Sequence, residues 1–138
     1  MLAAGLALAG CGSDTSFDTG PAPTGPASRR EVAAVAVRYV NALVAKDWEA
    51  ACKTRTTADQ RRLADLGHGS CARAFGQLFE DRPTDRYIGV RSGAVRIEGP
   101  YAGIDMIARG EPGPRITLGA VRENGEWRIK DLPKRIVP

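Results

Sequence analysis

With 138 residues, a formal charge of +4 and 43% apolar side chains, the chain has material for one small core and not for two. The only charged residues among the first 28 are Asp14 and Asp18, so setting those two negative charges aside leaves +6 on residues 29–138, an excess that is almost all arginine. No apolar run reaches the about 20 residues of a membrane-spanning helix, and two Trp, three Tyr and three Phe are too few both to fill a core and to interleave with basic residues on a nucleic-acid surface.

The chain opens on an Ala/Leu/Gly-rich run that stops at Leu8-Ala9-Gly10-Cys11. A branched apolar residue three positions before a cysteine, with small residues between, is the pattern of a bacterial lipobox. There the thiol takes a lipid as a thioether and the chain is cut in front of it. Residues 1–10 are therefore expected to be a partial lipoprotein signal peptide, and Cys11 the lipidation site, carrying acyl groups such as palmitate. An ordinary thiol after an apolar start is the alternative. No Lys or Arg precedes Cys11, whereas an export signal opens on a positive segment, so the signal is expected to begin upstream of Met1.

Residues 11–28 are rich in Gly, Pro, Ser and Thr and cannot bury enough apolar surface to offset ordering, which predicts a tether spanning on the order of 20–25 Å. Order is expected from residue 29 to 138. Ser28-Arg29-Arg30-Glu31 fits a capping box, and Val32, Val35, Ala36, Tyr39, Val40 and Leu43 recur at helical spacing to about Ala45. Asp47 can cap a short helix carrying Trp48, Ala51 and Cys52. Thr57 or Asp59 starts a third, with Leu63 and Leu66 inward and Gly67 and Gly69 as stops. Ser70 caps a fourth with Cys71, Ala74, Phe75, Leu78 and Phe79 in a stripe.

If Cys11 carries lipid, Cys52 and Cys71 remain as an even pair that can close in an oxidising compartment; two separately buried thiols are the alternative. Neither has zinc spacing, and His68 is the single histidine, so no metal is expected.

After Pro83 the period changes. Residues 87–91, 94–98, 102–109, 115–122 and 126–132 read as strands between Gly, Pro and Asn breaks. Asn124-Gly125 marks the last hairpin. A two-residue turn sets Arg122 opposite Trp127; a three-residue turn with a bulge sets Val121 opposite Trp127 and Arg122 opposite Glu126, and this second register is preferred because it pairs apolar with apolar and opposite charges with each other. Helices followed by an antiparallel meander define an α+β domain with the long helix against one sheet face.

Three features carry a family resemblance: this order of elements, the run Tyr39-Val40-Asn41-Ala42-Leu43 followed by Lys46-Asp47-Trp48-Glu49-Ala50-Ala51-Cys52, and the closing Glu123-Asn124-Gly125-Glu126-Trp127-Arg128-Ile129. Over residues 29–133 the chain resembles the nuclear-transport-factor-2-like (SnoaL-like) superfamily, and within it small actinobacterial lipoproteins. The resemblance implies a cone-shaped, cystatin-like α+β barrel with a cavity between helices and curved sheet, and sheet faces that often pair into homodimers. Enzymes of that superfamily, such as ketosteroid isomerases, dehydratases and polyketide cyclases, use a buried base facing a hydrogen-bond donor.

The best base here is Asp105, on an expected central strand, with Tyr39 as donor. Against this, alternation allows Asp105 to face solvent beside Arg109, with Tyr39 in the core. His68, between two glycines, reads as a surface loop residue. Tyr39, Trp48, Phe75 and Trp127 are the candidate pocket lining, although each also fits a core stripe. Gly67-His68-Gly69 joins helices and lacks the lysine of a phosphate loop.

No catalytic set or cofactor motif emerges. The expected function is a non-catalytic binding or interaction domain, lipid-anchored on the extracytoplasmic face of the cell membrane, that takes a small apolar ligand or an envelope protein. The competing expectations are an isomerase, dehydratase or cyclase of the same fold, and an accessory subunit of an envelope transport or wall-synthesis complex. The basic surface would face anionic lipid or wall polymer, with nucleic acid not expected.

Overall fold

The computed structural model describes residues 25–130 and 134–135; Leu8-Ala9-Gly10-Cys11 and most of the expected tether lie outside the described residues. The first helix, α1, spans Pro26–Val44. It begins upstream of the expected Ser28 cap. Pro26 occupies the first turn, where its missing N–H costs nothing, and Ser28 is buried within the helix, so the Ser28–Glu31 capping box does not form. The apolar stripe behaves as its spacing requires, with Val32, Val35, Ala36, Tyr39, Val40 and Leu43 all buried. α1 ends in a Schellman motif: Lys46 takes a left-handed conformation (φ 55°), and the Asp47 and Lys46 amides donate to the carbonyls of Ala42 and Leu43.

Three shorter helices follow. α2 (Trp48–Lys53) is capped by Asp47, whose carboxylate accepts from the Ala50 amide. α3 (Thr57–Leu66) is capped by Thr56, one residue earlier than expected, through its hydroxyl and the Asp59 amide. Leu63 points inward, but Leu66, in the same last turn of α3, is 64% exposed. α4 (Cys71–Phe79) is capped by Ser70 as expected. The α3–α4 corner is tight. A side chain on Gly67 would approach the Ser70 carbonyl oxygen to 2.0 Å, while His68 (φ 53°) supplies the left-handed residue and the Gly69 amide closes on the Ala64 carbonyl.

The disulfide Cys52–Cys71 joins the end of α2 to the start of α4, with Cα atoms 6.1 Å apart. Above it a row of rings fills the space. Trp48 stacks on Phe79 at 5.7 Å, Phe79 on Phe75 at 6.0 Å, and Phe75 meets Tyr39 edge-on at 6.3 Å.

The chain after α4 is an antiparallel meander of β1 (Arg91–Glu98), β2 (Tyr101–Ile107), β3 (Pro114–Glu123) and β4 (Glu126–Ile129), with the short β5 (Lys134–Arg135) pairing with β3. Residues 87–91 do not form the expected first strand. Asp85–Tyr87 is a single 3₁₀ turn, and β1 is one strand with a bulge between Ser92 and Val95. The bulge places Gly93 where any Cβ would strike the Ile107 side chain at 2.5 Å. The last hairpin takes the two-residue turn, pairing Arg122 with Trp127 and Glu123 with Glu126. The expected bulged register fails because Asn124 (φ 51°) and Gly125 (φ 78°) both adopt the left-handed angles of a type I′ turn, whose twist matches the strands.

Alternation then divides the sheet. Ile104, Met106, Ile116, Leu118 and Ile129 face α1 and are buried, while Tyr101, Asp105, Thr117, Val121 and Lys130 point to the outer face. The architecture is α+β, with α1 on one face of an antiparallel sheet and the start of α3 tied to its β4 edge. Among the described residues no helix is long and apolar enough to cross a membrane.

The disulfide closes a loop of 19 residues, so the Cys52→Ala/Cys71→Ala variant should lose about 3 kcal/mol of unfolding free energy relative to the oxidised protein. Urea denaturation with and without reductant measures this, and equal midpoints would show that the bridge contributes nothing.

Candidate functional site

The α2–α3 turn carries the most unusual side chain of the molecule. Arg55 is fully buried, and a buried guanidinium must be paired and hydrogen-bonded to persist. Its Nη2 donates to Asp59 Oδ2 at 2.7 Å and to the Lys130 carbonyl at 2.6 Å. Its carbon lies 5.8 Å from the centroid of the Tyr39 ring, within cation–π range. The backbone beside it is fastened to β4. Thr56 donates to the Ile129 carbonyl at 3.1 Å and Ile129 to the Thr54 carbonyl at 2.7 Å, a parallel bridge between Arg55 and Ile129. Arg55 Nε and Nη1, the Tyr39 hydroxyl and the Trp127 indole nitrogen are buried without hydrogen-bond partners.

The clamp sets the first turn of α3 against the outer sheet face, and the space between them is a cleft of about 430 Å³. Thr56, Thr57 and Ala58 form one wall, Tyr101 and Val121 the other, and the lining is mainly apolar. Its two carboxylates are engaged. Asp59 is held by Arg55 from below and by Arg62 at 3.1 Å. Glu123 accepts from the Thr57 amide at 3.0 Å, which places its charge at the positive end of α3. The two cations of the lining, Arg61 and Lys130, have no carboxylate partner among the described residues; Lys130 stands 5.3 Å over the Tyr101 ring.

The candidate residues read from sequence fall elsewhere. Asp105 lies on the outer face, bound by Arg96 through two hydrogen bonds of 3.0 and 2.9 Å and by the Thr117 hydroxyl at 3.0 Å. Its partner is Arg96 on the neighbouring strand rather than Arg109, because β2 ends at Ile107 and Arg109 lies in the turn beyond it. The Arg96 hydrogen bonds hold its carboxyl below the usual carboxylate range, the opposite of what a general base at neutral pH requires. Tyr39 is on the core side, and burial pushes its phenol well above the ordinary value, an effect the charge of Arg55 reduces. The sheet therefore separates Asp105 from Tyr39. His68 is the exposed left-handed residue that ends α3.

Of the four expected pocket-lining aromatics, Tyr39, Trp48 and Phe75 belong to the packed row of rings. Trp127 borders a second surface cleft of about 380 Å³ with Arg38 and Glu31 of α1. Among the described residues no three His, Cys, Asp or Glu side chains gather as a metal site would need. Arg55 escapes a reading based on apolar periodicity. Its one sequence signal is the four-residue step to Asp59, the spacing of a helical ion pair. No protein-family model matches the chain, and no curated protein matches it either.

Two stability measurements check this arrangement. Asp59→Ala leaves a buried guanidinium without its counter-ion and should cost about 3 kcal/mol or more, whereas Arg62→Ala, at the exposed end of the same cluster, should cost less than about 1 kcal/mol. Asp105→Asn should cost at most about 1 kcal/mol at pH 7. The folded-state pKa of Asp105 is depressed, so its stabilisation is complete above the unfolded value of about 3.9 and lost as pH falls through the folded value. Denaturation curves of parent and variant should converge in that acid range; a gap that persists there would remove the ion pair as its cause.

Proposed function

We propose that this chain is a lipid-anchored, non-catalytic binding domain on the extracytoplasmic face of a cell membrane, built on a cone-shaped nuclear-transport-factor-2-like fold. The observation that carries the compartment is the Cys52–Cys71 disulfide, a bond that persists where thiols are kept oxidised. It accounts for two of the three cysteines; the third, Cys11, stands within the lipobox-like Leu8-Ala9-Gly10-Cys11. The fold reading is supported by the long α1 lying against β1, β2 and β4 of an antiparallel meander.

Binding is favoured over catalysis by what the candidate groups do. Asp105 is ionised and held by Arg96 and Thr117, and Tyr39 is sealed in the core on the other side of the sheet. The apolar cleft beside α3 offers a concave surface with polar groups at its margin, the usual make-up of a small-molecule site.

The protein expressed from its native gene should fractionate with membranes and carry an acylated, thioether-modified Cys11 at its mature N-terminus. Cys11→Ala should abolish both. Intact mass spectrometry without reduction should also show Cys52 and Cys71 joined. An unmodified Cys11 in the mature protein, or two free thiols at Cys52 and Cys71, would contradict the reading.

A further inference from the structure

We propose that the cleft between α3 and the outer sheet face binds a small amphiphilic anion, a flat apolar body bearing one acidic group. The cleft, at about 430 Å³, is the size of pockets that take small organic ligands, and its walls are chiefly apolar. Tyr101 is 53% exposed there, beside the buried Val121 on the paired strand. An apolar body placed against this wall removes exposed aromatic surface from water.

Charge selects the sign of the ligand. Both carboxylates of the lining are already satisfied, Asp59 by Arg55 and Arg62, and Glu123 by the amide at the start of α3. Arg61 and Lys130 have no such partner among the described residues. A cationic ligand would have to compete with those partners for a carboxylate, whereas an acidic group meets cations that no carboxylate holds. Lys130 stands over the Tyr101 ring, so an acid that reaches it leaves its apolar body against Tyr101 and Val121. Asp59 is neutralised from outside the lining by Arg55 and Arg62, so the charge it would add to the cleft is offset, while Arg61 and Lys130 stand in the lining itself.

The inference deepens the binding role proposed above and is independent of the lipid anchor. It is tested on the full chain carrying Cys11→Ser, so that acylation plays no part, by ¹H–¹⁵N NMR titration with 2-naphthoate and with its neutral analogue 2-naphthalenemethanol. Naphthoate should perturb the amides of Thr57, Tyr101, Val121 and Lys130 and bind at least about fivefold more tightly than the alcohol. Tyr101→Ala should weaken it about tenfold, and the double variant Arg61→Gln/Lys130→Gln about fivefold. These three side chains are exposed or at the surface, and the spectrum of each variant reports directly on its fold. Equal affinity for acid and alcohol, perturbation confined to other surfaces, or unchanged binding in both variants would overturn the proposal. So would binding to phosphatidylglycerol vesicles without any response to naphthoate, which would make the surface a membrane-docking face. Failure of the anchored role would appear elsewhere, as an unmodified Cys11 in cells.

Discussion

The architecture around the candidate site depends on one buried charge. Arg55 is held without solvent between α1, α3 and β4, and its guanidinium answers to three elements at once: the Asp59 carboxylate, the Lys130 carbonyl and the face of Tyr39. A hydrophobic side chain of similar volume could fill the same space, and buried ion pairs often add little net stability over such a replacement. What an apolar residue cannot do is specify direction. The hydrogen bonds to Asp59 and Lys130 fix where α3 begins relative to the end of β4, and that placement creates the cleft. Glu123 completes the arrangement from the other side by capping the first amide of α3.

The disulfide and the ring stack act on the opposite end of the helical layer. Cys52–Cys71 ties α2 to α4, and Trp48, Phe79, Phe75 and Tyr39 run in contact from that bond into the core. Tyr39 is the meeting point of the two systems, since its ring makes a T-shaped contact with Phe75 and its face meets Arg55. The oxidised bridge therefore braces the layer on which the Arg55 clamp is built. This is useful in a domain of this size, where a single core leaves little stability in reserve.

Much of this was legible from residue patterns alone. The α1 stripe, the caps at Asp47 and Ser70, the pairing of Cys52 with Cys71 and the change of period after Pro83 rest on local chemistry, which a sequence displays directly. The differences arise where one local signal outweighs another, at Ser28 and in the final hairpin, and where a distant contact decides, at Arg55. Ser28 has the look of a cap, but Pro26 starts the helix earlier. The final hairpin was read from side-chain complementarity, whereas the left-handed angles of Asn124 and Gly125 set the register. Leu66 fits the apolar spacing of α3 and yet lies on its exposed side, while Leu63 in the same turn is buried. Arg55 was invisible as a core residue because an arginine in a Thr-rich turn ordinarily points to water. Only the approach of β4, 75 residues later, buries it.

The most direct test of this account is amide hydrogen exchange in the parent protein and in Arg55→Leu, which keeps the volume apolar and removes the clamp. Protection should fall at the first turn of α3, at Asp59 and Gln60, while α1 and α4 retain theirs. Unchanged protection at α3 in a variant that still folds would show that the helix is placed by packing alone, and that the buried guanidinium does not build the cleft.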